Sequence, residues 1–108
     1  MRVLVLTETD AGCGPMAAAF LRGYSTSMEV ESAGHCPMQN IDLLVVEAMK
    51  ECLIDLSGYQ PKAVATLDLS TFDVIYECPD LPLPTNVDEF RELRDFIKNE
   101  AYLFFRHL

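Results

Sequence analysis

Eight consecutive residues near the start of the chain, Thr7-Glu8-Thr9-Asp10-Ala11-Gly12-Cys13-Gly14, bring hydroxyl, carboxylate and thiol side chains into one loop. Cys13 stands just ahead of Pro15 and a run of strong helix formers, Met16-Ala17-Ala18-Ala19-Phe20-Leu21-Arg22. A thiol at a helix N-terminus has its pKa lowered by the partial positive charge there, and a thiolate is both a nucleophile and a redox centre. The helix-end amides of Ala11, Gly12, Cys13 and Gly14 would suit a small anion. Thr7 offers a hydroxyl, but a hydroxyl stays protonated at neutral pH unless a base activates it, and no histidine lies near it in the sequence. Its plainer role is to end a strand. Glu8 and Asp10 add negative charge to the same loop, which works against a phosphate-like dianion.

A second reactive pair, His35-Cys36, follows a Ser-Ala-Gly run. With Cys13 and either Glu8 or Asp10 it would make a metal or redox set, although residues this scattered are more often unrelated surface groups. The four cysteines, Cys13, Cys36, Cys52 and Cys78, show no C-x-x-C pairing and no metal-type clustering. They read as free thiols of a reducing compartment, with Cys52 and Cys78 at buried structural positions. No metal and no cofactor is expected.

The elements that must position these residues follow in a readable order. Val3-Leu4-Val5-Leu6 is a continuous apolar run, the mark of a strand covered on both faces. The loop Thr7 to Gly14 leads into a helix that Gly23 is expected to stop. A second strand is expected over Met28 to Ser32. Asn40 then caps a helix from about Ile41 to Cys52, with Ile41, Leu44, Val45, Ala48 and Cys52 on one face. An irregular stretch follows Gly58, with a helical turn near Pro61 to Ala65. Phe72 to Tyr76 reads as a third strand. Pro79, Pro82 and Pro84 leave room for at most a short edge strand. Thr85 with Asp88 resembles a capping box for a last helix, whose apolar stripe is Phe90, Leu93, Ile97, Ala101, Phe104 and Leu108. The Phe104-Phe105 pair reads as core plus fringe, with one spare aromatic for a partner as the alternative. Strand and helix in alternation predict an α/β fold, three-layer αβα, with a parallel sheet of three to four strands and helices on both faces. Ligands bind such sheets beyond the carboxyl ends of the strands, where the Thr7 to Gly14 loop falls.

The segment Val3 to Ala19, VLVLTETDAGCGPMAAA, resembles the opening of the low-molecular-weight tyrosine phosphatases and the related thioredoxin-coupled arsenate reductases. There a strand runs into a C-x5-R-S phosphate loop and then a helix that begins in a similar way. Ser32-Ala33-Gly34 is similar to the S-A-G after that family's second strand. Ile54-Asp55-Leu56-Ser57-Gly58 is similar to its G-I-D-x-S-G, with Leu53 where the glycine would be. Thr71-Phe72-Asp73-Val74-Ile75 resembles its third strand. The resemblance spans nearly the whole chain and implies the family's phosphotyrosine phosphatase-like fold.

The resemblance also implies where chemistry has been lost. It places Thr7 at the nucleophilic cysteine, Cys13 at the arginine that clamps the oxyanion, and Gly14 at the supporting serine. Asp10 falls at a structural asparagine, and Leu83-Pro84 at the aspartate-proline that supplies the acid. No other register restores the motif, because Ala19, Asp42, Gly58 and Pro84 stand six residues after the four cysteines. A stretch between the family's third and fourth strands is missing as well. Without nucleophile, clamp and acid, most of the rate enhancement goes. The expectation is a pseudoenzyme, a binding or regulatory module whose ligand-binding positions are Thr7, Glu8, Asp10, Ala11, Gly12, Cys13 and Gly14. The alternative, a thiol-redox protein or residual phosphatase or reductase using Cys13, perhaps with Cys36, stays open.

The 108 residues fit one domain, 1–108, and 50% hydrophobic with 23% charged residues is ordinary globular composition. The formal charge of −9 speaks against nucleic acid and anionic membranes as partners, since both need a basic footprint. A protein, or a small anion at the loop, is left as partner. No apolar run approaches the roughly 20 residues of a membrane span, and Thr7-Glu8-Thr9-Asp10 ends the opening apolar run too early for a signal peptide. A cytoplasmic location is expected.

Overall fold

The apolar run at the start becomes the central strand of the sheet, β1 (Arg2–Thr7). In the computed structural model, which describes residues 1–108, it is followed by α1 (Cys13–Tyr24), β2 (Glu29–Gly34), α2 (Leu43–Lys50), β3 (Val74–Glu77) and α3 (Val87–Arg106). The sheet is three-stranded and parallel throughout, in the order β2-β1-β3. Its register pairs Val3 with Val30 and Val74, and Thr7 with Gly34 at the carboxyl end of the strands. Val3 and Val5 are fully buried in one cluster with residues of all three helices, among them Met16, Val45, Phe90 and Ile97. Each side chain of that size contributes about 1.5–3 kcal/mol by leaving water. Leu4 and Leu6, buried but outside that cluster, alternate to the opposite face. The chain after Gly58 is irregular, with two single 3₁₀ turns, Val64–Thr66 and Leu69–Thr71. The result is a compact αβα fold. No helix is long and apolar enough to cross a membrane.

Several boundaries differ from the sequence expectation. Gly23 does not stop α1, which runs one residue further. Tertiary bonds hold this last turn: the Arg22 guanidinium donates to the Val30 carbonyl at 3.0 and 2.8 Å, and the Tyr24 hydroxyl donates to the Lys98 carbonyl at 3.0 Å. Asp42, not Asn40, caps α2, its carboxylate accepting the Leu44 N–H at 2.8 Å. The helix ends two residues before Cys52, where the Leu53 N–H donates to the Lys50 carbonyl and the Ile54 N–H to the Met49 carbonyl. This is the Schellman pattern, and it puts Leu53 at φ 61°, in the left-handed region. Asn86, not Thr85, caps α3 by accepting the Glu89 N–H at 2.9 Å. Phe90, Leu93, Ile97 and Ala101 are buried as the stripe predicts, whereas Leu108 lies beyond the helix and is 44% exposed. Phe104 stacks on Tyr76 and Phe105 packs against Tyr24, so neither is a spare aromatic. Cys78 is buried and Cys52 only half-buried. The proline segment forms no strand.

Candidate functional site

The loop between β1 and α1 lies at the carboxyl ends of the strands, and the chain after β2 holds it in place. The His35 N–H donates to the Thr7 carbonyl at 3.1 Å, Cys36 to Glu8 at 2.8 Å, Met38 to Thr9 at 2.9 Å and Asp42 to Ala11 at 3.1 Å. Gly34 makes this close approach possible, since a Cβ there would lie 2.7 Å from the Glu8 carbonyl oxygen. Histidine therefore does come next to Thr7, which sequence proximity hid. Only its backbone does so; the His35 residue is exposed, while Thr7 is buried.

Asp10 fits the structural position that the resemblance implies for it. It sits at φ 50° with its side chain fully buried and turned away from solvent. One carboxylate oxygen accepts the Tyr59 hydroxyl and, at 3.0 Å, the Lys62 N–H, while Oδ1 has no partner. Tyr59 also reaches Ser32 Oγ at 2.6 Å. Burial raises the Asp10 pKa against the lowering effect of these bonds. Asp10 is thus a tie between the loop and the chain at 59–62. Tyr59, Ser32 and Lys62, its partners, carried no signal in the sequence.

The space over the loop is taken by the chain itself. Thr7 Oγ1 accepts the Asp10 N–H at 3.2 Å and lies 2.8 Å from where a Cβ on Gly14 would stand. Leu83 Cδ2 lies 2.5 Å from the corresponding point on Gly12. Asp80 Oδ2 accepts the Glu8 N–H at 3.0 Å, so a carboxylate of this chain holds a loop amide. The amides of Ala11, Gly12, Cys13 and Gly14 donate to no acceptor within the chain. Of the seven expected ligand-binding residues, only Glu8 is exposed; Thr7, Asp10, Ala11, Gly12, Cys13 and Gly14 are buried. Asp80 was missed because it sits between prolines in a segment without periodicity.

The cysteines are also placed differently from expectation. Cys13 is fully buried beside the 78–81 segment, with its sulfur 3.9 Å from the Leu81 carbonyl oxygen. Burial pushes its thiol up to about 11, and the Asp80 charge adds to the rise. Cys78, whose sulfur lies 3.9 Å from the Cys13 carbonyl oxygen, is pushed up to about 12, again chiefly by burial. The lowered pKa expected at the helix end is therefore reversed. Cys36 is exposed at the mouth, where its hydrogen bond to Glu8 and that carboxylate's charge raise its pKa. The four thiols are free, and no group of three His, Cys, Asp or Glu side chains is arranged to hold a metal ion.

No protein-family model matches the sequence. Solved structures do match it. The low-molecular-weight protein tyrosine phosphatase of T. tengcongensis is similar with a TM-score of 0.85 and 18% identity, over 100% of this chain and 99% of that one. The arsenate reductase of Archaeoglobus fulgidus DSM 4304 gives 0.76 and 20%, over 92% and 94% of the two chains. A thioredoxin-dependent arsenate reductase of Corynebacterium glutamicum gives 0.75 and 25%, covering 98% of this chain and 60% of the other. The parallel β2-β1-β3 sheet, with a loop from β1 into α1 at its carboxyl end, is the fold of the low-molecular-weight protein tyrosine phosphatases and arsenate reductases.

Proposed function

We propose that this chain is a catalytically degenerate relative of those enzymes, acting as a binding or regulatory module. The observation that carries this reading is the filling of the loop from within by Thr7, Asp80 and Leu83. An oxyanion at the Ala11–Gly14 amides would have to displace Leu83 and meet the Asp80 carboxylate, which disfavours a dianion by like-charge repulsion. The three positions at which the resemblance puts the chemistry point the same way. Thr7 has no base on its hydroxyl, Cys13 is a buried neutral thiol instead of a clamp, and Leu83 has no proton to give. Against the thiol-redox alternative stand the burial of Cys13 and the exposure of Cys36, which leave no paired reactive thiols. Four free thiols accord with a reducing, cytoplasmic setting.

Hydrolysis of p-nitrophenyl phosphate and thioredoxin-coupled reduction of arsenate test the reading. Both rates are expected to equal the buffer rate. Turnover that Thr7→Ala or Cys13→Ser abolishes would overturn it. Asp80→Asn with Leu83→Ala opens the loop, and calorimetry should then detect inorganic phosphate binding that wild type lacks, still without turnover.

A further inference from the structure

The mouth of the filled loop is a groove of about 420 Å³, within the size range of side-chain and small-ligand sites. Its walls are apolar: Met38, Leu81, Pro82 and Leu83, with Met38 54% and Leu81 39% exposed. Glu8 and Asp80 supply its charge. Neither has a basic partner, since every ion pair in the chain is made by Arg2, Arg91 or Arg94. Asp80 keeps one oxygen on the Glu8 N–H, and Glu8 receives only the Cys36 thiol. The groove therefore combines uncovered apolar walls with two carboxylates that lack counter-charges.

We propose that this groove docks an arginine-bearing segment of a partner protein, with the arginine stem against Met38, Leu81 and Leu83 and its guanidinium at Glu8 and Asp80. The proposal rests on the non-catalytic reading above, because an enzyme of this fold would need the same mouth for an anion. Charge complementarity selects the occupant. A planar guanidinium has donors enough for two carboxylates, is weakly hydrated, and packs its faces and stem on apolar surface. An ammonium is more strongly hydrated and offers no fork. The chain's net charge of −9 steers a cationic segment toward the mouth. Apolar residues flanking the arginine would cover the Leu81 and Met38 walls.

The test is titration of acetyl-Leu-Arg-Leu-amide into ¹⁵N-labelled protein. The amide signals of Glu8, Met38 and Leu81 are expected to move, with a Kd of roughly 0.1–1 mM, the range for one anchored side chain. Glu8→Gln, an exposed substitution outside the core, should weaken binding about tenfold, the scale of one charge-assisted contact. Citrulline in place of arginine, or raised salt, should weaken it as well. No shifts at roughly ten times the expected Kd, equal binding of the citrulline peptide, or binding unchanged by Glu8→Gln would each overturn the proposal. So would tighter binding of a phosphotyrosine peptide at the same amides, or self-association of the free chain through this mouth. The phosphatase and reductase assays on the same preparation judge the non-catalytic reading separately: silent assays with no peptide binding refute only the docking site.

Discussion

Replacing Tyr59 with phenylalanine removes one hydroxyl from the tie between the loop and the 59–62 chain while keeping the ring. That hydroxyl donates to the buried Asp10 carboxylate and accepts from Ser32 Oγ at 2.6 Å. A hydrogen bond to a charged group is worth about 1.5–3 kcal/mol and a neutral one about 1 kcal/mol, so the substitution should cost about 2.5–4 kcal/mol when Asp10 is ionised. Against a total of about 5–15 kcal/mol this is a large fraction, readable as a fall of about 1–2 M in the urea midpoint. The loss depends on pH. Burial raises the folded pKa of Asp10 above its unfolded value, so its contribution to stability is fully present at low pH and is lost as pH rises through the folded pKa. The Tyr59 bond lowers the pKa, so removing it raises the pKa further and deepens the loss at high pH. Urea unfolding should show a cost of about 2 kcal/mol in acid below the ordinary carboxylate range, where both lost bonds are neutral, and the full cost once pH has risen past the folded Asp10 pKa. In an Asp10→Asn background the cost should stay near the neutral value at both. An equal cost at the two pH values, or the full cost in the asparagine background, would refute the argument that an ionised Asp10 holds the loop through Tyr59.

Three further outcomes follow from particular residues. Leu53→Gly should raise stability by about 1 kcal/mol, because a left-handed Leu53 that is 96% exposed bears backbone strain with little packing in return; a lower urea midpoint would contradict this. Glu51 is held down to about 2 by Arg91 and then Arg94, so its stabilisation is present above the ordinary carboxylate range and lost as pH falls through about 2. Glu51→Gln should therefore lower Tm at pH 7, with the difference narrowing in acid and in high salt. Iodoacetamide should label Cys36 first, faster still in Glu8→Gln, and reach Cys13 and Cys78 only on unfolding. Rapid labelling of native Cys13 would return thiol chemistry to the loop.

The fold was legible because its signals are local: a four-residue apolar run, a glycine-bearing turn, and the Phe90–Ala101 stripe at helical spacing. The caps were only half legible, since Asn40 and Asp42, like Thr85 and Asn86, are all good caps. The choice between them depends on where the helix first meets the core. The site was less legible, because what defines it is long-range. Glu8 and Asp80 are 72 positions apart, and Gly12 meets Leu83 through a proline segment without periodicity. Cys13 shows why placing a residue at a helix end is not enough to assign its chemistry. The end of a helix is worth about 0.3–1 kcal/mol to a nearby charge, whereas taking an ion out of water costs several. A thiolate there needs solvent or a cation beside it, and Cys13 has Leu81, Cys78 and the Asp80 charge instead. Thr7, Cys13 and Leu83 are thus coupled. With a small buried side chain at Cys13, Leu83 closes over Gly12 and the Asp80 carboxylate takes the Glu8 amide. Replacing Thr7 or Cys13 alone would leave Leu83 and Asp80 holding the loop shut.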